Sequence, residues 1–195
     1  GYINLDNRKM SKSAGDCFWV RDAAKKFGYG AIRYFLLASH YRNPVNFSEA
    51  ILAQSAAALE RLQNCRENLA FRLENAGNAT DAPSLAAEAE QIMARKADFL
   101  AAMDDDFNTA NAIAVLFEIT RDINTLLKNE SVSADILRTL LGFYDELLGL
   151  FGFLPEEKTA DGDAEIEALV AERTKAKKEK DYQKADELRA RLKEM

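Results

Sequence analysis

The chain holds 195 residues, of which 48% are apolar and 30% charged, with nine Gly, three Pro and two Cys. That balance excludes a disordered tail, a collagen-like chain and a disulfide-stapled miniprotein, and no apolar run approaches the roughly 20 residues a membrane-spanning helix needs. The formal net charge of −6 is unevenly spread: residues 1–47 hold eight Lys/Arg against three Asp/Glu, residues 48–163 nine against twenty-one, and residues 164–195 nine against eight.

A basic head before an acidic middle fits anionic ligands meeting the head, and equally fits an uneven surface charge. The head also carries nine of the eighteen aromatic residues, so it needs its own small core or a stacking surface. Cys17 and Cys65 form no CxxC pair, and the start lacks the charged-then-apolar pattern of a secretory signal. The chain therefore reads as soluble and cytoplasmic, in a reducing compartment, with no membrane partner. It begins at Gly1 and stops at Met195 inside a helical pattern without a stop signal, which leads us to expect a segment of a longer protein.

In chain order, Tyr2–Ile3 suits a short strand and Asp6–Asn7 a turn, while Lys9 to Asp16 has no apolar period and predicts a mobile loop. Val20 to Phe27 and Ala31 to Ser39 read as two helices broken at Gly28–Gly30, with Ile32, Phe35 and Leu36 on one face. Val45–Phe47 alternates like an edge strand after the break at Asn43–Pro44.

From Ser48, a candidate N-cap, the texture becomes long helices. Leu52, Leu59, Leu62, Leu69 and Leu73 make one stripe, and a loop over Gly77–Pro83 ends it. A second helix is expected from Leu85 to Met103, burying Ile92, Phe99 and Leu100. A third covers Thr109 to Lys128, with Ile113, Leu116, Phe117, Ile123 and Leu127 inward. Ser133 caps a fourth, in which Leu137, Leu140, Leu141, Tyr144, Leu148 and Phe151 face the others and Gly152 and Pro155 close the end. Four amphipathic helices with short connections make an antiparallel bundle. Residues 156–163 read as a linker, and residues 164–195 as two thinly striped helices, the second capped by Asp181.

Lys9-Met10-Ser11-Lys12-Ser13 puts two ammonium groups and two hydroxyls on one loop, a set suited to a polyphosphate. Closing such a loop over a triphosphate would set positive charge where departing pyrophosphate gains negative charge. Composition alone fits a solvated basic loop as well.

Lys9–Ser13 resembles the KMSKS signature of class I aminoacyl-tRNA synthetases. Its continuation through Ala14-Gly15-Asp16, with Val20-Arg21-Asp22, Ile32-Arg33-Tyr34-Phe35-Leu36, His40-Tyr41-Arg42, Val45-Asn46-Phe47-Ser48 and Leu59-Glu60-Arg61-Leu62, is similar to the cysteinyl-tRNA synthetase family. Met103-Asp104-Asp105-Asp106-Phe107-Asn108-Thr109 resembles its bundle motif, and Lys180-Asp181-Tyr182 with Ala185-Asp186 and Arg189 its late helical pair.

The resemblance implies a mainly α chain in parts. These are a small α/β stem-contact unit with the signature loop over 1–47, a tRNA-binding bundle over 48–155, and a truncated start of an anticodon-binding region over 164–195. It implies an enzyme, monomeric as a whole, that activates cysteine with ATP and Mg and charges tRNA(Cys), with this segment inactive alone. Lys12 matches the second signature lysine, the catalytic and ATP-contacting position. Lys9, Met10, Ser11 and Ser13 follow as members of the loop. Ala14, Asp16 and Trp19 depart from the family's usual Leu, Asn and Thr, and Asp16 adds a negative charge near a phosphate site.

No HIGH-type motif occurs, and one His with two distant Cys cannot rebuild the family's zinc site, so zinc is expected on the missing catalytic domain and no metal here. His40 suits hydrogen-bonded packing, Cys17 a small buried thiol, and Asp104–Asp106 the capping of the next helix. Arg173, Lys175, Lys177, Lys178 and Lys180 form a basic run that suits a solvated helix face or, in a synthetase, tRNA phosphates. Two other readings remain: a mycothiol-pathway ligase joining cysteine to an amino sugar, and a non-enzymatic helical tRNA-binding module.

Overall fold

The computed structural model describes residues 3–5, 8–9, 19–76 and 83–155, together with the single positions Leu169, Glu172, Lys184 and Leu188. The chain divides into two compact units, Gly1–Leu154 and Pro155–Met195. In the first, the order is β1 (Ile3–Leu5), β2 (Arg8–Lys9), α1 (Val20–Leu37), β3 (Val45–Phe47), α2 (Glu49–Glu74), α3 (Pro83–Ala94), α4 (Lys96–Asp104), α5 (Thr109–Leu126) and α6 (Ala134–Phe151). The chain is mainly α, as the apolar periods require.

The strands form one small mixed sheet in the order β2-β1-β3. β1 pairs antiparallel with β2, Asn4 opposite Lys9, and parallel with β3, Ile3 opposite Val45. β3 thus lies on an edge, as its short alternating pattern suggests. Lys9 is the last residue of β2, not the first of a loop. The expected turn at Asp6–Asn7 lies outside the described residues.

Gly28 breaks α1: its φ of 80° and ψ of 155° lie where a Cβ is strained, so the two helical halves meet at a kink. Two residues on, a Cβ at Gly30 would stand 2.8 Å from Leu59 Cδ2, so α1 approaches α2 closely there. Ala23, Phe35, Phe47 and Leu52 form a core separate from the bundle, with the Phe35 and Phe47 rings edge-on, centroids 6.0 Å apart. The aromatic head therefore does hold its own small core.

The bundle helices start where hydroxyl and amide side chains meet orphan N–H groups. Ser48 Oγ accepts from Ile51 N at 3.2 Å, Asn108 Oδ1 from Asn111 N at 3.2 Å, and Ser133 Oγ from Ile136 N at 3.3 Å. Pro83 opens α3, where its missing N–H costs nothing. At the end of α6, Gly152 is left-handed and Phe153 N donates back to Leu148 O at 2.9 Å, closing the helix in the usual glycine-terminated way.

The main core gathers Leu62, Leu69, Phe99, Leu116, Ile119, Ile123, Leu137, Leu140, Tyr144 and Leu147, all fully buried. Two expectations need correction. The single helix expected from Leu85 to Met103 is two, α3 and α4, because the chain tightens at Arg95, whose N–H bonds Ile92 O three residues back. Leu100 is 44% exposed: Phe99, Ala102 and Met103 form the inward row of α4, and Leu100 lies one residue off it.

In the second unit the four described positions are helical, Leu169 and Leu188 are buried, and Lys184 pairs with Glu172 at 2.9 Å.

Candidate functional site

The site named by the sequence begins at Lys9. Its backbone is held in β2 by pairing with Asn4 of β1, the central strand. Met10, Ser11, Lys12, Ser13 and Cys17 lie outside the described residues, as do Arg173, Lys175, Lys177, Lys178 and Lys180. What the structure does supply is the frame that carries the loop and ties it to the bundle.

That frame is fastened at three places. Arg33 of α1 donates from Nη1 to Gly152 O at 2.8 Å, beyond the end of α6. Nearby, the Tyr34 and Phe153 rings lie 5.5 Å apart, and Gln63 of α2 donates to Phe153 O at 3.1 Å. One turn beyond Arg33, at the last residue of α1, Thr109 Oγ1 donates to Leu37 O at 2.6 Å. The third tie is a cluster on the segment after α1. Arg42 Nε donates to Asp106 Oδ2 at 2.7 Å, and Arg42 Nη2 and Tyr41 OH donate to Oδ1 at 3.1 and 2.8 Å. His40 stacks on Tyr41 at 4.9 Å, with its Nε2 3.8 Å from Oδ2.

These bonds set the local electrostatics. The Arg42 guanidinium, then the Tyr41 hydroxyl, holds the Asp106 carboxyl below the usual carboxylate range, and the same hydrogen bond raises Arg42. The Asp104–Asp106 run therefore does not cap α5; Asn108 does, and Asp106 is the acceptor for Tyr41 and Arg42. Sequence reasoning misses this pairing because the partners lie 64 residues apart. The isolated His-Tyr-Arg string is the one signal present. His40 is engaged in packing and hydrogen bonding, its Nδ1 accepting from Arg42 N at 3.3 Å, as its place after an apolar helix suggests.

Among the described residues no three His, Cys, Asp or Glu converge to hold a metal. Cys65 does not fit a zinc ligand, because burial in the bundle pushes its thiol up to about 12. It neighbours a buried hydroxyl pair, Thr120 Oγ1 and Tyr144 OH, 2.7 Å apart. Tyr144 OH is also raised by burial and lies 3.3 Å from Leu62 O. These polar groups partner one another and mark core, not catalysis.

Comparisons with known proteins bear on both ends of this frame. Residues 1–57 match the family model of the class I (C) tRNA synthetase catalytic domain, and residues 98–155 match the DALR domain. The chain is 41% identical over 198 residues to a cysteine–tRNA ligase of Clostridioides difficile strain 630, covering 100% of this chain and 42% of that protein. This chain belongs to the cysteinyl-tRNA synthetase family. A cysteine–tRNA ligase of Bacillus pumilus is 39% identical over 197 residues, covering 100% of this chain and 41% of the relative.

The chain spans about two fifths of the length of these curated cysteine–tRNA ligases. Among solved structures, a LeuRS–tRNA–LeuAMS ternary complex from Agrobacterium radiobacter K84 is similar in fold, with a TM-score of 0.63 and 23% identity. That match covers 77% of this chain and 20% of the other. Within the family frame, Lys9–Ser13 falls in the catalytic-domain match and Asp106 in the DALR match.

Among the described residues no helix is long and apolar enough to cross a membrane.

Proposed function

We propose that this chain is the part of a cysteine–tRNA ligase that carries the ATP-contacting loop and the tRNA-binding helices. One observation carries the reading: the Lys9–Ser13 string, whose Lys9 ends β2, lies inside a segment matching the class I (C) catalytic domain, in a chain 41% identical to a cysteine–tRNA ligase.

In that reading the cysteine carboxylate attacks the α-phosphate of ATP, the bond from that phosphorus to the oxygen bridging to the β-phosphate breaks, and pyrophosphate departs with that oxygen; Mg, when bound, would help screen the phosphate charge. The Lys12 ammonium neutralises the charge that accumulates on the leaving group, with Lys9, Met10, Ser11 and Ser13 shaping the same loop. The acceptor end of tRNA(Cys) then takes the cysteinyl group. Residues 1–47 serve as the stem-contact unit, 48–155 as the tRNA-binding bundle and 164–195, after a linker, as the beginning of the anticodon-binding region. Arg173, Lys175, Lys177, Lys178 and Lys180 meet tRNA phosphates. The cysteine site, with zinc to select the thiolate, belongs to residues outside this chain, a reading supported by the burial of Cys65 and the hydrogen bonding of His40. The whole enzyme acts as a cytoplasmic monomer.

The test is cysteine-dependent ATP–pyrophosphate exchange by the full-length product, followed by tRNA charging. Lys12→Ala should slow exchange by roughly a hundredfold or more while leaving cysteine affinity near the unsubstituted value. Normal exchange in that variant removes the role of Lys12. Exchange without tRNA charging would favour the amino-sugar ligase, and binding of tRNA without exchange the non-enzymatic module.

A further inference from the structure

The Asp106 cluster joins the two segments that the family models match separately. Asp106 lies in the DALR match over 98–155, and Tyr41 and Arg42 lie in the catalytic-domain match over 1–57. All three donors on this carboxylate, Arg42 Nε, Arg42 Nη2 and Tyr41 OH, come from across that divide, at 2.7, 3.1 and 2.8 Å.

The backbone beneath it is unusual. Asp106 and Phe107 are the two non-glycine residues with positive φ among those described, at 53° and 52°. Left-handed residues with a Cβ persist where the surroundings over-determine them. The turn also sets the Phe107 ring 69% exposed. Its backbone bonds, Phe107 N to Met103 O at 3.1 Å and Asn108 N to Ala102 O at 3.1 Å, close the end of α4 and require no side chain. Glycine at 106 would close that turn more cheaply. The aspartate brings a carboxylate aimed at residues 40–42.

Those residues lead directly into the loop-bearing sheet. Arg42 precedes β3 by three residues; β3 pairs with β1, and β1 with β2, which ends at Lys9. Side-chain bonds from Asp106 to residues 41 and 42, three residues of chain, and then the paired strands β3, β1 and β2 therefore connect Asp106 to Lys9, the last residue of β2.

We infer that Asp106 is a positioning residue: from the bundle it clamps residues 40–42 and, through β3 and β1, sets the register of the hairpin that delivers Lys9–Ser13. This rests on the proposed role of that loop in cysteine activation. The ion pair is largely exposed, so it adds little to melting temperature, and its effect is on geometry.

Two measurements test the clamp. In the full-length protein, active sites are counted by the adenylate burst, and exchange is measured for Asp106→Asn, Asp106→Gly, Arg42→Gln and the Asp106→Asn/Arg42→Gln pair. Each single variant should lose roughly tenfold in kcat, because a small misplacement of charge is costly, with KM for cysteine unchanged. The pair should be no worse than its weaker member, since both remove one interaction. If Asp106 only terminates α4, Asp106→Gly should match or exceed the unsubstituted protein in both kcat and melting temperature, and that result overturns the inference.

In the 195-residue chain, amide hydrogen exchange at Val45–Phe47 should accelerate in Asp106→Asn while the interiors of α5 and α6 keep their protection. Unchanged exchange at these positions refutes the clamp whatever the activity. A full-length protein with no cysteine-dependent exchange removes the ligase reading instead, and the amide result then judges the clamp alone.

Discussion

Arg33 and Gly152 meet across 119 positions of sequence, with the guanidinium of α1 donating at 2.8 Å to the carbonyl that follows α6. The glycine is left-handed, φ 62°, and a Cβ there would stand 2.3 Å from Arg33 Nη1. Gly152→Ala thus meets two penalties at once, a backbone penalty of about 1–2 kcal/mol and displacement of the arginine. Thermal unfolding should show a drop of several degrees or more. Arg33→Ala alone should cost less, and Gly152→Ala in an Arg33→Ala background should recover part of the loss.

The bundle helices give a contrast between two leucines, one on α5 and one on α4. Leu116 is fully buried, whereas Leu100 is 44% exposed. Leu116→Ala should destabilise by about 2–5 kcal/mol. Leu100→Ala should stay within about 0.5 kcal/mol. Denaturant midpoints with unchanged slopes would measure both.

How much of this is legible in the sequence follows from what each signal reports. Ser48, Ser133 and Gly152 carry their caps in their own chemistry, so the start of α2 and both ends of α6 are readable locally. The split of α3 from α4 is not, because Arg95 is an ordinary helix residue whose side chain pairs with Glu118 and Asp122 of α5, a tertiary demand. Leu100 escapes for the same reason: apolar identity does not set helical phase once the helix has been interrupted. The Asp104–Asp106 run looks like dipole compensation, and only folding shows that its last carboxylate faces Tyr41 and Arg42. Lys9–Ser13 stands out because a short string of fixed chemistry needs no partner to be recognised.

Cys65 should be chemically silent while the chain is folded. Burial raises its thiol to about 12, so at pH 8 the native chain holds almost no thiolate there. Raised above the unfolded value, the group favours the native state below the ordinary thiol range and loses that advantage as pH climbs toward 12. Pulse alkylation at pH 8 read out by peptide mass should label Cys65 about a thousandfold more slowly in native than in unfolded chain. Rapid native labelling would show that the bundle opens locally around α2.

For the basic run, charge reversal at Lys177 and Lys178 should weaken tRNA binding. It should also lower the slope of log affinity against log salt by about 0.7–0.9 for each phosphate no longer neutralised. Filter binding across a salt series with the full-length protein measures both quantities, and an unchanged slope assigns the run to a solvated helix face.

The parallel pairing of β1 with β3 has a consequence for how the chain is made. Ile3 and Val45 are neighbours in the sheet, yet all of α1 lies between them in the chain. At translation rates of about 5–20 residues per second, the first strand waits roughly 2–8 s for its parallel mate to be synthesised. Through that interval the outer edge of β1 lacks the partner that β3 later supplies, so the ribosome tunnel and early chaperones are its natural shelter until α1 and β3 have followed.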